Sequence, residues 1–206
     1  MTTKRIPNEE RRAASTEAVL NAARRLFVTH GYEYSSMSQI ARAAGLTKGA
    51  IYFYFKDKAQ LLDRLLDESE RNAFNPIIDA VTESTASATD QLVLFVNAVA
   101  QLGVDHRDQL LLPVLMAVEF SASDNDAATR LQAIYTRWTA MLETLIVEGQ
   151  SNQEFDPSLD AAHSAITLVA LVDGLLLQWH RLHDTLDGPQ LASTARQIVL
   201  NALARG

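Results

Sequence analysis

Apolar residues recur along this chain at intervals of three and four, and short polar or glycine-bearing breaks separate the runs. That rhythm predicts helices throughout, with no strand-like alternation. The first helix opens at Glu9 and Glu10, buries a face of Val19, Ala22, Ala23, Leu26 and Phe27, and stops at His30-Gly31. Residues 1–7 carry Lys4 and Arg5 without periodicity and read as a loose arm. Ser36 and Gln39 then have the spacing of a capping box, so a second helix begins there and runs to Ala44. Gly45 is suited to the left-handed backbone that ends a helix, and Thr47 supplies the next N-cap. Ile40, Ala41, Ala44, Leu46 and Ile51 form the apolar side of this pair, with Ala41 and Ala44 small enough for close crossing. The spacing is that of a helix-turn-helix.

Asp57, with Gln60 three places on, opens a further helix whose apolar residues Leu61, Leu62, Leu65 and Leu66 continue toward Phe74. Pro76 is expected to end or kink it. Ile77 to Val81 is apolar again, and Thr82 to Thr89 is polar and reads as a connection. One helix follows from about Asp90 to Gly103, and another from Asp105 to Phe120 with a kink expected at Pro113. SASDND starts a long helix over 124–148 whose stripe runs from Leu131 through Ile134, Tyr135, Trp138, Met141 and Leu142 to Leu145, and Gly149 is expected to end it. Phe155 to Pro157 is a turn. A helix over 159–183 and a last one from Pro189 complete an all-α chain.

With 206 residues and 48% hydrophobic content, the chain has enough apolar material for a sizeable core. It has no cysteine, which excludes disulfides, iron–sulfur clusters and thiol catalysis. No run of about 18 apolar residues is seen, and the start lacks the apolar stretch of a signal peptide, so a cytoplasmic protein without a membrane partner is expected. The net charge of −7 argues against nucleic acid until its distribution is considered. Up to Arg64 there are eleven Lys and Arg against six Asp and Glu, a balance of +5; beyond it there are seven against nineteen, a balance of −12. A basic end on an acidic body points to a nucleic-acid-binding unit.

The outward residues of the helix-turn-helix carry the chemistry. Thr47, Lys48, Gly49 and Ala50 form the first turn of its second helix, followed by Tyr52, Tyr54, Lys56 and Lys58, and hydroxyls and ammonium groups there suit a groove lined with phosphates. The stretch GLTKGAIYFYFKDKAQLL, with Tyr52, Phe55, Lys58 and the paired leucines, resembles the signature of the TetR family of bacterial transcriptional regulators, and the likeness extends over residues 16–66. The resemblance implies a helix-turn-helix DNA-binding domain at 1–56. A connecting helix would join it to a helical ligand-binding and dimerisation domain at 57–206. It also implies DNA-contact roles for Ser36, Ser38, Thr47, Lys48, Gly49, Ala50, Tyr52, Tyr54 and Lys58. Ser36, Tyr52, Tyr54 and Lys58 would hold phosphates, while Lys48 and Thr47 would face base edges, Lys48 toward guanine. Ser38 is short where the family often has a basic residue, and Tyr54 stands where histidine is frequent, so the operator sequence stays open.

In the body, AITLVALVDGLLLQW is apolar almost all round and so needs burial on every side. The last helix has nothing after it to cover a second face, which predicts pairing of two copies through the last two helices. Ile166, Ala170, Asp173, Gly174, Leu191, Ala195, Ile198 and Ala202 are the candidate dimer contacts. Asp173, and in the same way His163, needs a partner wherever it is buried. By resemblance the body also holds a small-molecule effector. Phe95, Met116, Phe120, Tyr135, Trp138 and Met141 are the candidate lining, with plain core packing as the competing reading. His180, His183 and Asp184 do not complete a metal shell and read as a solvated face. No nucleophile and base form a catalytic motif, so neither enzymatic activity nor a cofactor is expected. The picture is a dimeric repressor that binds double-stranded operator DNA and is released by an effector. Its competitor is a helical enzyme or adaptor that keeps the helix-turn-helix only as a structural corner.

Overall fold

In a computed structural model describing residues 8–182 and 185–204, the chain is a stack of α-helices. Helix α1 (Asn8–His30) packs against the short α2 (Met37–Ala43), which packs on α3 (Lys48–Ile51), and α4 (Lys58–Ser69) leads into the body. The body comprises α5 (Asn75–Thr82), α6 (Ala88–Glu119), α7 (Asp126–Ser151), α8 (Ala161–Leu182) and α9 (Gly188–Leu203). The sequence signals account for the first four helices. Ser36 and Gln39 make both halves of the capping box, Thr47 Oγ1 accepts from the Ala50 amide, and Asp57 accepts from the Gln60 amide. Gly31 and Gly45 take φ of +85° and +72° at the two helix ends, where a side chain would be strained.

The chain differs from the periodic reading where tertiary contacts override a local signal. Pro76 does not end the connecting helix. The backbone widens into a π-turn over Glu70–Phe74 and continues into α5, a local adjustment that accommodates a residue lacking an amide and crowding the preceding turn. Helix α6 breaks at His106 (φ −142°, ψ 45°), within three residues of the expected boundary between Gly103 and Asp105, and not at Pro113. The Trp179 ring lies against Gly103, where a Cβ would be 2.9 Å from Trp179 Cζ3. Proline at 113 leaves the Gln109 carbonyl without its helical donor, and the buried Ser69 hydroxyl of α4 donates to it at 3.0 Å. Gly149 likewise does not end α7, which runs on to Ser151. Its missing side chain makes room for the buried ring of Phe155.

One core runs from Val19 and Phe27 of α1, through Leu61 to Leu66 of α4, to Trp138 and Leu142 of α7 and Val199 of α9. Charged clamps fix α4 on both sides. Arg24 of α1 meets Glu68 at 2.6 Å; Arg130 of α7 meets Asp63 at 2.6 Å, Asp67 at 3.2 Å and Glu70 at 2.7 Å. Burial opposes ionisation of Asp67, but Arg130, Arg71 and Arg64 hold its carboxyl below the usual range. Helix α8 is less covered than its composition demands. Ala165, Leu168, Val169 and Leu176 are buried, while Ile166 is 55% exposed. By length and composition α8 passes for a membrane span, which the simple count of apolar runs missed, although core helices of soluble proteins pass the same test.

Candidate DNA interface and effector cavity

The candidate DNA surface is assembled at helix ends. Ser36 and Thr47 have their hydroxyl oxygens committed to capping α2 and α3, and both remain exposed, with Thr47 O–H free to donate outward. Helix α3 is only four residues long, so Tyr52 sits at its C-cap, and Tyr54 and Lys58 are not on it as the sequence reading implied. Tyr52 is half exposed, Tyr54 is partly buried against the core, and Lys48, Gly49 and Ser38 are exposed. Ala50 is intermediate. At Gly49 an added Cβ would meet no atom within 4 Å, and the φ is unexceptional. A helical glycine costs about 1 kcal/mol relative to alanine, and nothing inside the protein requires it.

Lys58 is the first residue of α4, and its ammonium already has partners. Nζ donates to the carbonyl of Tyr32 at 2.6 Å and lies 4.0 Å from the centre of the Tyr32 ring. It therefore pins the α1–α2 loop, and its remaining donor capacity is what a phosphate would use. Two exposed aromatics were missed in the sequence, Tyr34 and Phe53, each 83% exposed beside this surface. The only signal for Phe53 was its place in the run of aromatics after Ile51.

The same α1–α2 loop is held from the body. Glu119, the last residue of α6, accepts the amide of Tyr32 at 2.8 Å and that of Glu33 at 2.7 Å, and Phe120 packs edge-on against the Tyr32 ring. Burial and the carboxylates of Glu33, Asp57 and Glu119 raise the Tyr32 phenol above its ordinary pKa. This latch was also missed. Its signal was a carboxylate at a helix C-terminus, where the dipole disfavours negative charge unless local donors compensate.

Of the expected pocket residues, only Phe95 lines the apolar cavity between α6, α8 and α9, a space of about 80 Å³ walled also by Val99, Leu176, Trp179, Leu191 and Val199. The other five are placed elsewhere. Met116 and Met141 are core, and Phe120 belongs to the loop latch. Trp138 lies between Phe74 and Phe95, tilted against the first ring and edge-on to the second, and the Tyr135 hydroxyl donates to Asp173 at 3.3 Å. A stripe at helical spacing points inward, but which inward residues meet a void depends on neighbouring helices. The expected dimer set divides the same way. Ile166, Ala170, Ile198 and Ala202 are exposed, whereas Leu191 and Ala195 turn into the cavity and Asp173 faces Tyr135 of α7. Burial raises the Asp173 carboxyl to about 6 and, with Asp173 beside it, pushes the Tyr135 phenol up. His163 is exposed and pairs with Asp160 at 2.8 Å. His183 and Asp184 lie outside the described residues, among which no cluster of metal-ligating side chains occurs.

A short helix-turn-helix projecting from an all-helical body defines a DNA-binding regulator. The family model of bacterial regulatory proteins of the tetR family matches residues 19–65, and that of the C-terminal part of BetI-type transcriptional repressors matches residues 88–205. The chain belongs to the TetR family of bacterial regulatory proteins. The MbdR regulator from Azoarcus sp. CIB is similar in structure, with a TM-score of 0.85 and 37% identity, over 93% of this chain and 100% of that one. FadR from Bacillus subtilis, solved with stearoyl-CoA, has a TM-score of 0.70 at 22% identity over 91% and 98%. AibR, solved with isovaleryl coenzyme A and operator DNA, has a TM-score of 0.76 at 19% identity over 89% and 97%.

Proposed function

We propose that this chain is a homodimeric repressor that binds a palindromic operator through the surface from Ser36 to Lys58 and leaves it when an effector fills the body. The DNA-binding domain is residues 1–56 and the effector and dimerisation domain 57–206. The observation that carries the DNA surface is Gly49, a helical glycine that nothing within the protein requires, set among exposed Thr47, Lys48 and Tyr52. Gly174 supports pairing by the same argument. An added Cβ there would meet nothing within 4 Å although it lies mid-helix in α8, so the small residue serves an approach from outside. With Ile166 and Ile198 exposed on α8 and α9, a second copy packing there forms a four-helix bundle. Two-fold pairing sets two recognition helices about 34 Å apart, one turn of DNA. Repression is then steric occupation of a promoter.

The clamped connecting helix supports a conformational readout. The DNA unit is attached through Arg24–Glu68, the Arg130 fork and the Glu119 latch, so a shift of α6 or α7 moves it as a body. An effector acts by binding one arrangement more tightly than the other. A footprint on the promoter beside the protein's own gene locates the operator. On that DNA, Lys48→Ala is expected to weaken binding about 5- to 150-fold as lost base readout, and Tyr52→Ala to weaken it with less dependence on sequence. Both variants keep the wild-type oligomeric state. Unchanged gel-shift affinity in both would remove the assignment of this surface.

A further inference from the structure

Beside the surface from Ser36 to Lys58, the α1–α2 loop exposes a tyrosine that nothing within the chain accounts for. Tyr34 is 83% exposed, and its hydroxyl has no partner among the described residues. The backbone around it is fixed from several directions. Glu119 accepts the amides of Tyr32 and Glu33, and Lys58 Nζ donates to the carbonyls of the same two residues at 2.6 Å and 3.4 Å. On the other side the Ser35 amide donates to the Tyr32 carbonyl at 3.1 Å, the hydroxyl of the buried Ser35 to the Gly31 carbonyl at 2.7 Å, and the Ser36 amide to Gln39 Oε1 at 2.8 Å. A body carboxylate and a buried serine thus hold the two sides of a residue whose own side chain points into solvent.

Position and residue type both point to a phosphate. Tyr34 lies two residues before Ser36, and Lys58 is bonded to the two residues before it, so it stands between two of the candidate phosphate contacts. Two residues of backbone span at most about 7 Å, which keeps the phenol close to the strand that Ser36 would meet. A tyrosine is a rigid ring with one hydroxyl donor, so it loses little freedom on binding, and such hydroxyls are common partners of phosphate oxygens. A lysine or arginine here would find the exposed Glu33 carboxylate beside it, whereas a phenol keeps its donor for an outside acceptor. Phe53, equally exposed, has no polar atom and cannot do this.

We propose that Tyr34 is a DNA contact outside the helix-turn-helix, donating its hydroxyl to an operator phosphate, and that Glu119 of the body holds it in place. The proposal rests on the reading of residues 36–58 as the DNA surface and adds a means of regulation to it. Glu119 is the last residue of α6, so a displacement of that helix withdraws the phenol. Helix α3, capped by Thr47 and packed through the buried Ile51, is left intact by the same displacement. Operator affinity then answers to the body through a contact that can be lost by itself.

The test is a gel-shift series with the full chain on the footprinted operator. Tyr34→Phe is expected to weaken binding about tenfold, from one lost hydrogen bond to a charged group in each half-site. Thermal unfolding stays at the wild-type value, and so does the salt dependence, because a neutral donor displaces no counterion. A scan of the operator with single methylphosphonates should find a phosphate in each half-site whose replacement costs the wild type about fivefold more than it costs Tyr34→Phe, a non-additivity that a merely structural tyrosine does not produce. In a Glu119→Ala background the cost of Tyr34→Phe should shrink to about threefold or less. Wild-type affinity in Tyr34→Phe, with or without a loss in Tyr34→Ala, overturns the phosphate contact and leaves the DNA surface standing. An undiminished cost in the Glu119→Ala background overturns the control by the body. A protein that never binds the operator removes the reading beneath both, and the proposal with it.

Discussion

Glu119→Ala removes the carboxylate that holds the α1–α2 loop, and the structure gives the size of the effect. Two amides, Tyr32 at 2.8 Å and Glu33 at 2.7 Å, lose a charged acceptor. Hydrogen bonds to charged groups contribute about 1.5–3 kcal/mol each when dry. Here Glu33 is exposed and water replaces part of the loss, so about 1–1.5 kcal/mol apiece is the appropriate range. Relief of a carboxylate at the C-terminal end of α6 returns about 0.5 kcal/mol. The net loss is about 2 kcal/mol, roughly a 30-fold change in the local opening equilibrium. Lys58 still holds the Tyr32 carbonyl, so the loop loosens without being released. Amide hydrogen exchange at Tyr32 and Glu33 should speed up by that factor, with a matching fall in denaturant stability if the loop opens with the whole fold. Glu119→Gln, which keeps an acceptor oxygen and loses the charge, should fall about midway. Unchanged exchange at both amides in Glu119→Ala would refute the latch.

Two further substitutions probe the body. Asp173 has its carboxyl raised from 3.8 to about 6 by burial, so the native state holds that proton more tightly than the unfolded chain. Its contribution to stability is fully present below about pH 4, is lost as pH rises through about 6, and stays lost above. In Asp173→Asn this slope should vanish, and urea denaturation at pH 8 should show a gain of up to about 3 kcal/mol, less any weakening of the Tyr135 contact. A persisting slope between pH 4 and 6 would assign the titration to other groups. Gly149→Ala places a Cβ 2.9 Å from Phe155 Cγ and nearer to two other ring atoms, so the buried ring must move. A loss of about 1–3 kcal/mol by thermal or urea denaturation is expected, and wild-type stability would show that the ring relocates freely.

The sequence alone determined the features encoded within one turn or one helix face. Ser36 with Gln39, Thr47 and Asp57 fix the starts of α2, α3 and α4, and Gly31 and Gly45 the ends of α1 and α2, through their own backbone neighbours, so they are legible without a fold. The order of charged, hydroxyl and aromatic residues after Gly45 is legible in the same way, and it carried the family resemblance. Tertiary structure decided what depends on residues distant in sequence. Gly149 read as a helix stop because glycine is a weak helix former, yet α7 runs on past it and its missing side chain makes room for the ring of Phe155. Pro113 read as a kink because proline forfeits a bond, yet Ser69, on another helix, satisfies the freed Gln109 carbonyl. Met116, Phe120, Trp138 and Met141 read as pocket lining, but periodicity distinguishes only inside from outside. Whether an inward side chain meets a neighbour or a void depends on how helices pack, and that placed the apolar cavity between α6, α8 and α9.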